Sequence, residues 1–131
     1  MSPLILHPTL NGVLAIHAEV LAAHGGSPGL RSRDLLESAL AAPQAAMSGT
    51  RTISDPIEIA AAYLFYLCRN DAFLNASKPA ALATCLVFLS ENGLLKSEDL
   101  DMNAWENLTL ETAAGILSRD EVTQKLRGLV S

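Results

Sequence analysis

The sequence predicts an all-α protein: about six helices packed around a buried central antiparallel pair. Strand content is nil or one small β-hairpin, a flap near residues 49–54. Three observations carry this. Alanine and leucine abound while aromatics are only 5% of the 131 residues, and Ala and Leu are the strongest helix formers. Helix start and stop signals recur along the chain. Two near-continuous apolar stretches, Ile57 to Arg69 and Ala80 to Gly93, are joined by one short polar segment, which reads as a buried helical hairpin.

The elements follow in order. Thr9 opens the first helix, with Val13, Ile16, Val20 and Leu21 at helical spacing, and "HGG" (His24 to Gly26) stops it. Gly12 weakens that start. "GGSPGLRSR" (Gly25 to Arg33) is a loop. Ser32 caps a short helix through about Ala41, and Pro43 stops it. "PQAAMSGTRTI" (Pro43 to Ile53) is irregular. Asp55, Pro56 and Glu58 form an N-cap, a first-turn proline and a capping box. The next helix, apolar nearly all round, belongs in the middle of the bundle. Asn92-Gly93 ends its partner. One helix runs from roughly Asn103 to Gly115. Ser118 with Glu121 is a capping box that starts the last helix at about Arg119, with Val122, Leu126 and Leu129 on one side.

Residues 1–131 read as one domain. Half the residues are hydrophobic, and a chain of this size removes about 68% of its unfolded surface from water. Nine basic residues and a net charge of −5 argue against direct nucleic-acid binding, which needs clustered Lys and Arg. Cys68 and Cys85 read as reduced, buried thiols of a cytoplasmic protein, without Cys-x-x-Cys spacing. The opening "MSPLILHPTL" is too short and too uncharged for a signal peptide. No apolar run approaches the ~20 residues of a membrane span. His17 and His24 are seven residues apart, wrong for a helical two-histidine metal site, and read as core or surface histidines.

The chemistry, if any, lies in "RNDAFLNASKPAAL" (Arg69 to Leu82), a loop running into a helix. A helix N-terminus presents unpaired amides and about half a positive charge, and phosphates bind there. Ser77 reads as the N-cap and Lys78 as a phosphate contact. Pro79 fits the first turn but brings no N–H. Asp71 is the only acid between Glu58 and Glu91. It reads either as a base that deprotonates an attacking hydroxyl or as a cap or turn residue.

Several separated blocks resemble the Doc (death-on-curing) branch of the Fic fold. They are "VLAIHAEVLAAHGGSPGLRSRDLLESALAAPQAA" (Val13 to Ala46), "AAAYLFYLCRN" (Ala60 to Asn70) and "ALATCLVFLSENG" (Ala81 to Gly93). The signature loop of that family reads His-x-Phe-x-Asp-x-Asn-Lys-Arg, followed by Thr and Ala, and falls here on Asp71 to Pro79. The family's histidine base is Asp71, and its core-anchoring phenylalanine is retained as Phe73. Its metal-binding aspartate is Asn75, its asparagine is Ser77, its lysine is retained as Lys78, its phosphate-clamping arginine is Pro79, and the following threonine is Ala80. Arg69 and Asn70 match the residues just before the motif, which makes Arg69 a further phosphate-binding candidate.

The resemblance implies a toxin of a toxin–antitoxin pair. Doc-like members transfer phosphate from ATP to a threonine of translation elongation factor Tu, and other Fic-fold members transfer AMP to hydroxyl side chains. The usual partner is a Phd-like antitoxin whose carboxy-terminal segment folds on the toxin's groove. In this chain the packing residues of the motif are kept and most of the chemistry is not. A neutral Asn75 is a poor Mg²⁺ ligand, and proline for arginine removes a bidentate side chain and a backbone donor. Losing one transition-state donor commonly costs ~3 kcal/mol. The expectation is a catalytically impaired protein that acts by binding an antitoxin or regulatory partner and needs no cofactor. The alternative is a working transferase that uses ATP and Mg²⁺ with Asp71 as base.

Overall fold

The computed structural model describes residues 4–48, 55–95 and 100–130. Among them are six helices: α1 (Leu10–His24), α2 (Arg33–Ser48), α3 (Pro56–Asn70), α4 (Ser77–Glu91), α5 (Met102–Ala113) and α6 (Arg119–Val130). The described residues contain no strand, only an isolated antiparallel bridge between Leu30 and Phe73. The hairpin expected near residues 49–54 lies outside the described residues.

The helix ends show why these segments are helical. The Thr9 hydroxyl accepts from the Gly12 amide at 3.0 Å, and Gly25, at φ 81°, closes α1. The Asp55 carboxylate accepts from the Ile57 amide at 3.0 Å, with Pro56 opening α3. Ser118 and Glu121 exchange both bonds of a capping box, at 3.0 and 3.2 Å. Asp101 caps α5 one residue earlier than the pattern predicts.

Two expectations are corrected. The second helix does not stop near Ala41. It continues through Pro43 to Ser48, because Leu36, Ala39, Leu40 and Pro43 share one buried stripe, the i, i+3, i+4, i+7 pattern of a core-facing helix. Burial on that stripe outweighs the roughly 3 kcal/mol that a proline costs inside a helix. Ser77 is not an N-cap: Ala76 holds that place, in the left-handed region at φ 64° and without a side-chain bond, and Ser77 is the first helical residue.

α3 and α4 form the central pair. On α3, Ile59 to Leu64 are all fully buried. Its alanines, with Ala80 and Ala81 on α4, let the backbones approach closely. The Cys85 thiol donates to the Ala60 carbonyl at 3.6 Å, so the early part of α3 faces the middle of α4, as an antiparallel hairpin requires. α2, α5 and α6 also pack on α3, while α1 and α5 pack on the flanks of α4. Trp105, Tyr63 and Phe88 fill the largest core positions. The N-terminal segment is strapped across the end of α4. There the Asn92 side chain accepts from the Leu6 amide and donates to its carbonyl, and His7 Nδ1 meets the Tyr63 hydroxyl at 2.6 Å. No described helix is long and apolar enough to cross a membrane.

Candidate functional site

The candidate site is the turn from α3 into α4. Two non-glycine residues bound it in the left-handed region, Asp71 at φ 46° and Ala76 at φ 64°. Such conformations are uphill for an L-residue and persist only where surrounding contacts dictate them. Those contacts come from three directions. From the 25–32 loop, Arg31 donates through its guanidinium to the carbonyls of Asp71 (2.8 Å) and Asn70 (3.0 Å). The amides of Arg31 and Ser32 both reach the Ala72 carbonyl, and Leu74 donates to the Gly29 carbonyl. From α1, the His17 ring stacks on Phe73 with centroids 3.7 Å apart and planes 11° from parallel. Its Nε2 donates to the Asn75 carbonyl at 2.7 Å, so Nε2 carries the proton. From α4, the Ser77 hydroxyl takes the Phe73 amide at 3.2 Å and donates to the Phe73 carbonyl at 3.4 Å.

Each predicted residue can now be placed. Phe73 is the buried anchor the sequence implies. Asp71 closes α3 and its side chain is exposed. Asn75 is exposed, with its Cβ close over Gly26, where an added Cβ would come within 3.1 Å of it. Ser77 is buried, and its hydroxyl is engaged by Phe73 rather than turned to a ligand. Lys78 and Pro79 sit on the first turn of α4. Arg69 goes elsewhere. Its guanidinium lies 5.8 Å over the Phe65 ring and against Gly115, in the turn between α5 and α6.

The donors for an anion are therefore few. The Ala80 amide is bonded to the Ala76 carbonyl, Pro79 has no amide hydrogen, and the amides of Ser77 and Lys78 remain, with the Lys78 ammonium. A helix N-terminus normally offers a fuller set. Cys68, in the last turn of α3, feels both charges of the site. Burial pushes its thiol up to about 12, with Lys78 pulling it down and Asp71 pushing it further up.

A magnesium ion prefers carboxylate oxygens in near-octahedral geometry. The loop offers one carboxylate, on Asp71, and one carboxamide, on Asn75. Among the described residues no three His, Cys, Asp or Glu side chains come together as a metal site. At nucleotide sites the ion takes one or two carboxylates together with substrate phosphates, and Asp71 is the one carboxylate this loop supplies.

Beside the turn runs a groove of about 410 Å³. Leu82, Ala83 and Leu86 of α4 floor it, Val20 and His24 of α1 form one wall, and Met102, Glu106 and Leu110 of α5 form the other. Lys78 and Pro79 line it as well. It exists because α1 and α5 each pack on α4 but not on one another. Met102 is 42% exposed and Leu110 52%, so the groove carries apolar surface to water.

The groove, Arg31 and the role of His17 were not read from the sequence. The signals were present: Val20 and His24 at i, i+4; Leu82 and Leu86 likewise; Met102, Glu106 and Leu110 at successive i+4 steps. Periodicity marks a face without saying what covers it.

Residues 7–89 match the Fic/DOC family. The chain is 33% identical over 109 residues to Toxin Doc of Mycolicibacterium smegmatis, covering 83% of this chain and 84% of the relative. It is 30% identical over 123 residues to Protein kinase doc of Escherichia phage P1, covering 94% of each.

Proposed function

The chain belongs to the Fic/DOC family, and from that premise we propose that it is a Doc-like member of a toxin–antitoxin pair that works by binding. Its groove takes the carboxy-terminal segment of a Phd-like antitoxin as a helix, and phosphoryl transfer at the α3–α4 turn is impaired. One observation carries this reading. The first turn of α4 holds two free amides and one lysine, with Pro79 at the clamp position and the Ser77 hydroxyl committed to Phe73. Each missing transition-state donor costs about 3 kcal/mol, a hundredfold or more in rate. With both the clamp and the metal ligand replaced, little of the transfer rate remains.

The groove, by contrast, is whole. An amphipathic helix lies in such a trough with apolar side chains at i, i+3, i+4 and i+7. Leu82, Leu86 and Leu110 meet that face, and an acidic group on the partner meets Lys78 and His24 near the start of α4. The buried, unpaired Cys68 and Cys85 suit a reducing cytoplasm.

The test has two arms. The product of an adjacent small gene, co-expressed with this chain, should co-purify as a stable complex. Leu110→Glu should weaken that complex at least tenfold while leaving the melting temperature of the free protein nearly unchanged. No complex, or a complex indifferent to Leu110→Glu, counts against groove binding. In the second arm, ATP with Mg²⁺ should leave the melting temperature where it was. A working site at 100 times its Kd would add about 2.7 kcal/mol. Label passing from ATP to elongation factor Tu, and abolished by Asp71→Ala, would establish the working transferase instead.

A further inference from the structure

The α3–α4 turn is held from outside itself, and its backbone records the constraint. Asp71 and Ala76 occupy the left-handed region without being glycine, a state disfavoured roughly 5- to 30-fold for an L-residue. Between them the segment joins no helix, and its ladder pairing is the isolated bridge of Phe73 to Leu30. The contact that crosses from the far side is His17, buried in α1 and 58 residues away in sequence. One ring does two things there: its face lies flat on Phe73 at 3.7 Å, and its Nε2–H holds the Asn75 carbonyl at 2.7 Å.

We propose that His17 is the latch of a two-state loop. Latched, residues 71–76 hold the strained geometry seen here. Released, the Nε2–Asn75 bond breaks, Ala76 relaxes out of the left-handed region, and the loop opens while the bundle stays folded. The opening is confined to residues 74–76: Ala72 and Phe73 stay seated in the core, held by Arg31, Ser32 and Ser77, while beyond them the loop's other tie is the Leu74 amide to the Gly29 carbonyl. Local openings of this kind lie far below global unfolding in free energy. Asn75 loses its held orientation on release, so His17 is a positioning residue for it. The latch stands whatever the loop or the groove binds.

Hydrogen exchange on the intact chain tests it. The Leu74 amide reports the loop, and the Leu64 amide in the middle of α3 reports the bundle. His17→Phe keeps a ring against Phe73 and removes the donor. It should speed loop exchange about 3- to 10-fold, the worth of one hydrogen bond, and leave Leu64 unchanged. Adding Ala76→Gly should slow loop exchange again roughly 2- to 5-fold, because glycine relieves the left-handed strain by more than its own entropy costs. That rescue acts on the backbone strain at Ala76 rather than on the lost bond, and a merely structural lesion would not show it.

The proposal is overturned if the Leu74 amide in the native protein exchanges no faster than Leu64. It is overturned equally if His17→Phe leaves its rate unchanged, or if Ala76→Gly has no effect. Should His17→Phe fail to fold, Ala76→Gly alone in the native background must still slow the loop by the same factor, and a null result there rejects the latch.

Discussion

Truncating Phe73 to alanine should destabilise the protein more than any other single change in the candidate site. Phe73 is 4% exposed, and its ring is covered on one face by His17 at 3.7 Å. Its backbone carries the bonds to Ser77. Buried Phe→Ala changes cost about 3–5 kcal/mol through lost transfer energy and the cavity left behind. The ring stack argues for the upper half of that range, because His17 also loses the surface it packs on. A domain of this size is stable by only about 5–15 kcal/mol, so the loss consumes a large fraction of the total. In melting temperature it amounts to a fall of about 10–20 °C. The assay is a urea titration followed by fluorescence of Trp105, the chain's single tryptophan and only 1% exposed. The midpoint should fall while the slope stays constant, as expected when stability changes and the surface exposed on unfolding does not. A loss below about 1 kcal/mol would refute the reasoning, for it would mean that the loop does not depend on its aromatic anchor.

Two further outcomes follow from the helix ends and the thiols. Asp55→Ala removes the cap of α3 and the partner of Arg127, and should cost about 1–2 kcal/mol, most of it from the cap, since both partners of the ion pair are a third or more open to water. Burial alone would raise the Asp55 carboxyl, but the Arg127 bond, the Ile57 and Glu58 amides and the Arg127 charge together hold it below the usual carboxylate range. Its stabilisation is therefore present above the unfolded value of ~3.9 and lost as pH falls through the folded value. The gap in urea midpoint between the parent and Asp55→Ala should accordingly begin to narrow as pH falls below about 4 and keep narrowing through the folded value, and a gap that does not narrow over that range would contradict this account. Burial pushes the Cys68 thiol to about 12 and Cys85 higher still. A thiol reagent at pH 8 should leave both cysteines untouched in the native protein and label both in urea, whereas rapid native labelling would place one at the surface.

The turn between α3 and α4 is held together by packing groups. Phe73 still fills the core, and its neighbours still hold two left-handed residues in place. Losing a packing group here would cost several kcal/mol of a small total stability. Losing Arg, Asp or His from an exposed loop costs rate and little stability.

By itself the sequence determined the helices, most of their ends, the central pair and the family. Caps at Thr9, Asp55 and Ser118 are bonds between residues two or three apart, and they form from local geometry whatever the rest of the chain does. Tertiary structure alone decided the rest. Pro43 was overruled because burial of its stripe outweighed the lost backbone bond. Ser77 turned inward to Phe73 instead of capping α4. Arg69 left the loop for Phe65 and Gly115. His17 and Arg31 took hold of a turn 58 and 40 residues away. The groove is bounded by three helices that no local pattern relates. Local propensity is a matter of tenths of a kcal/mol per residue, whereas one buried ring or stripe is worth several, so where the two disagreed, packing prevailed.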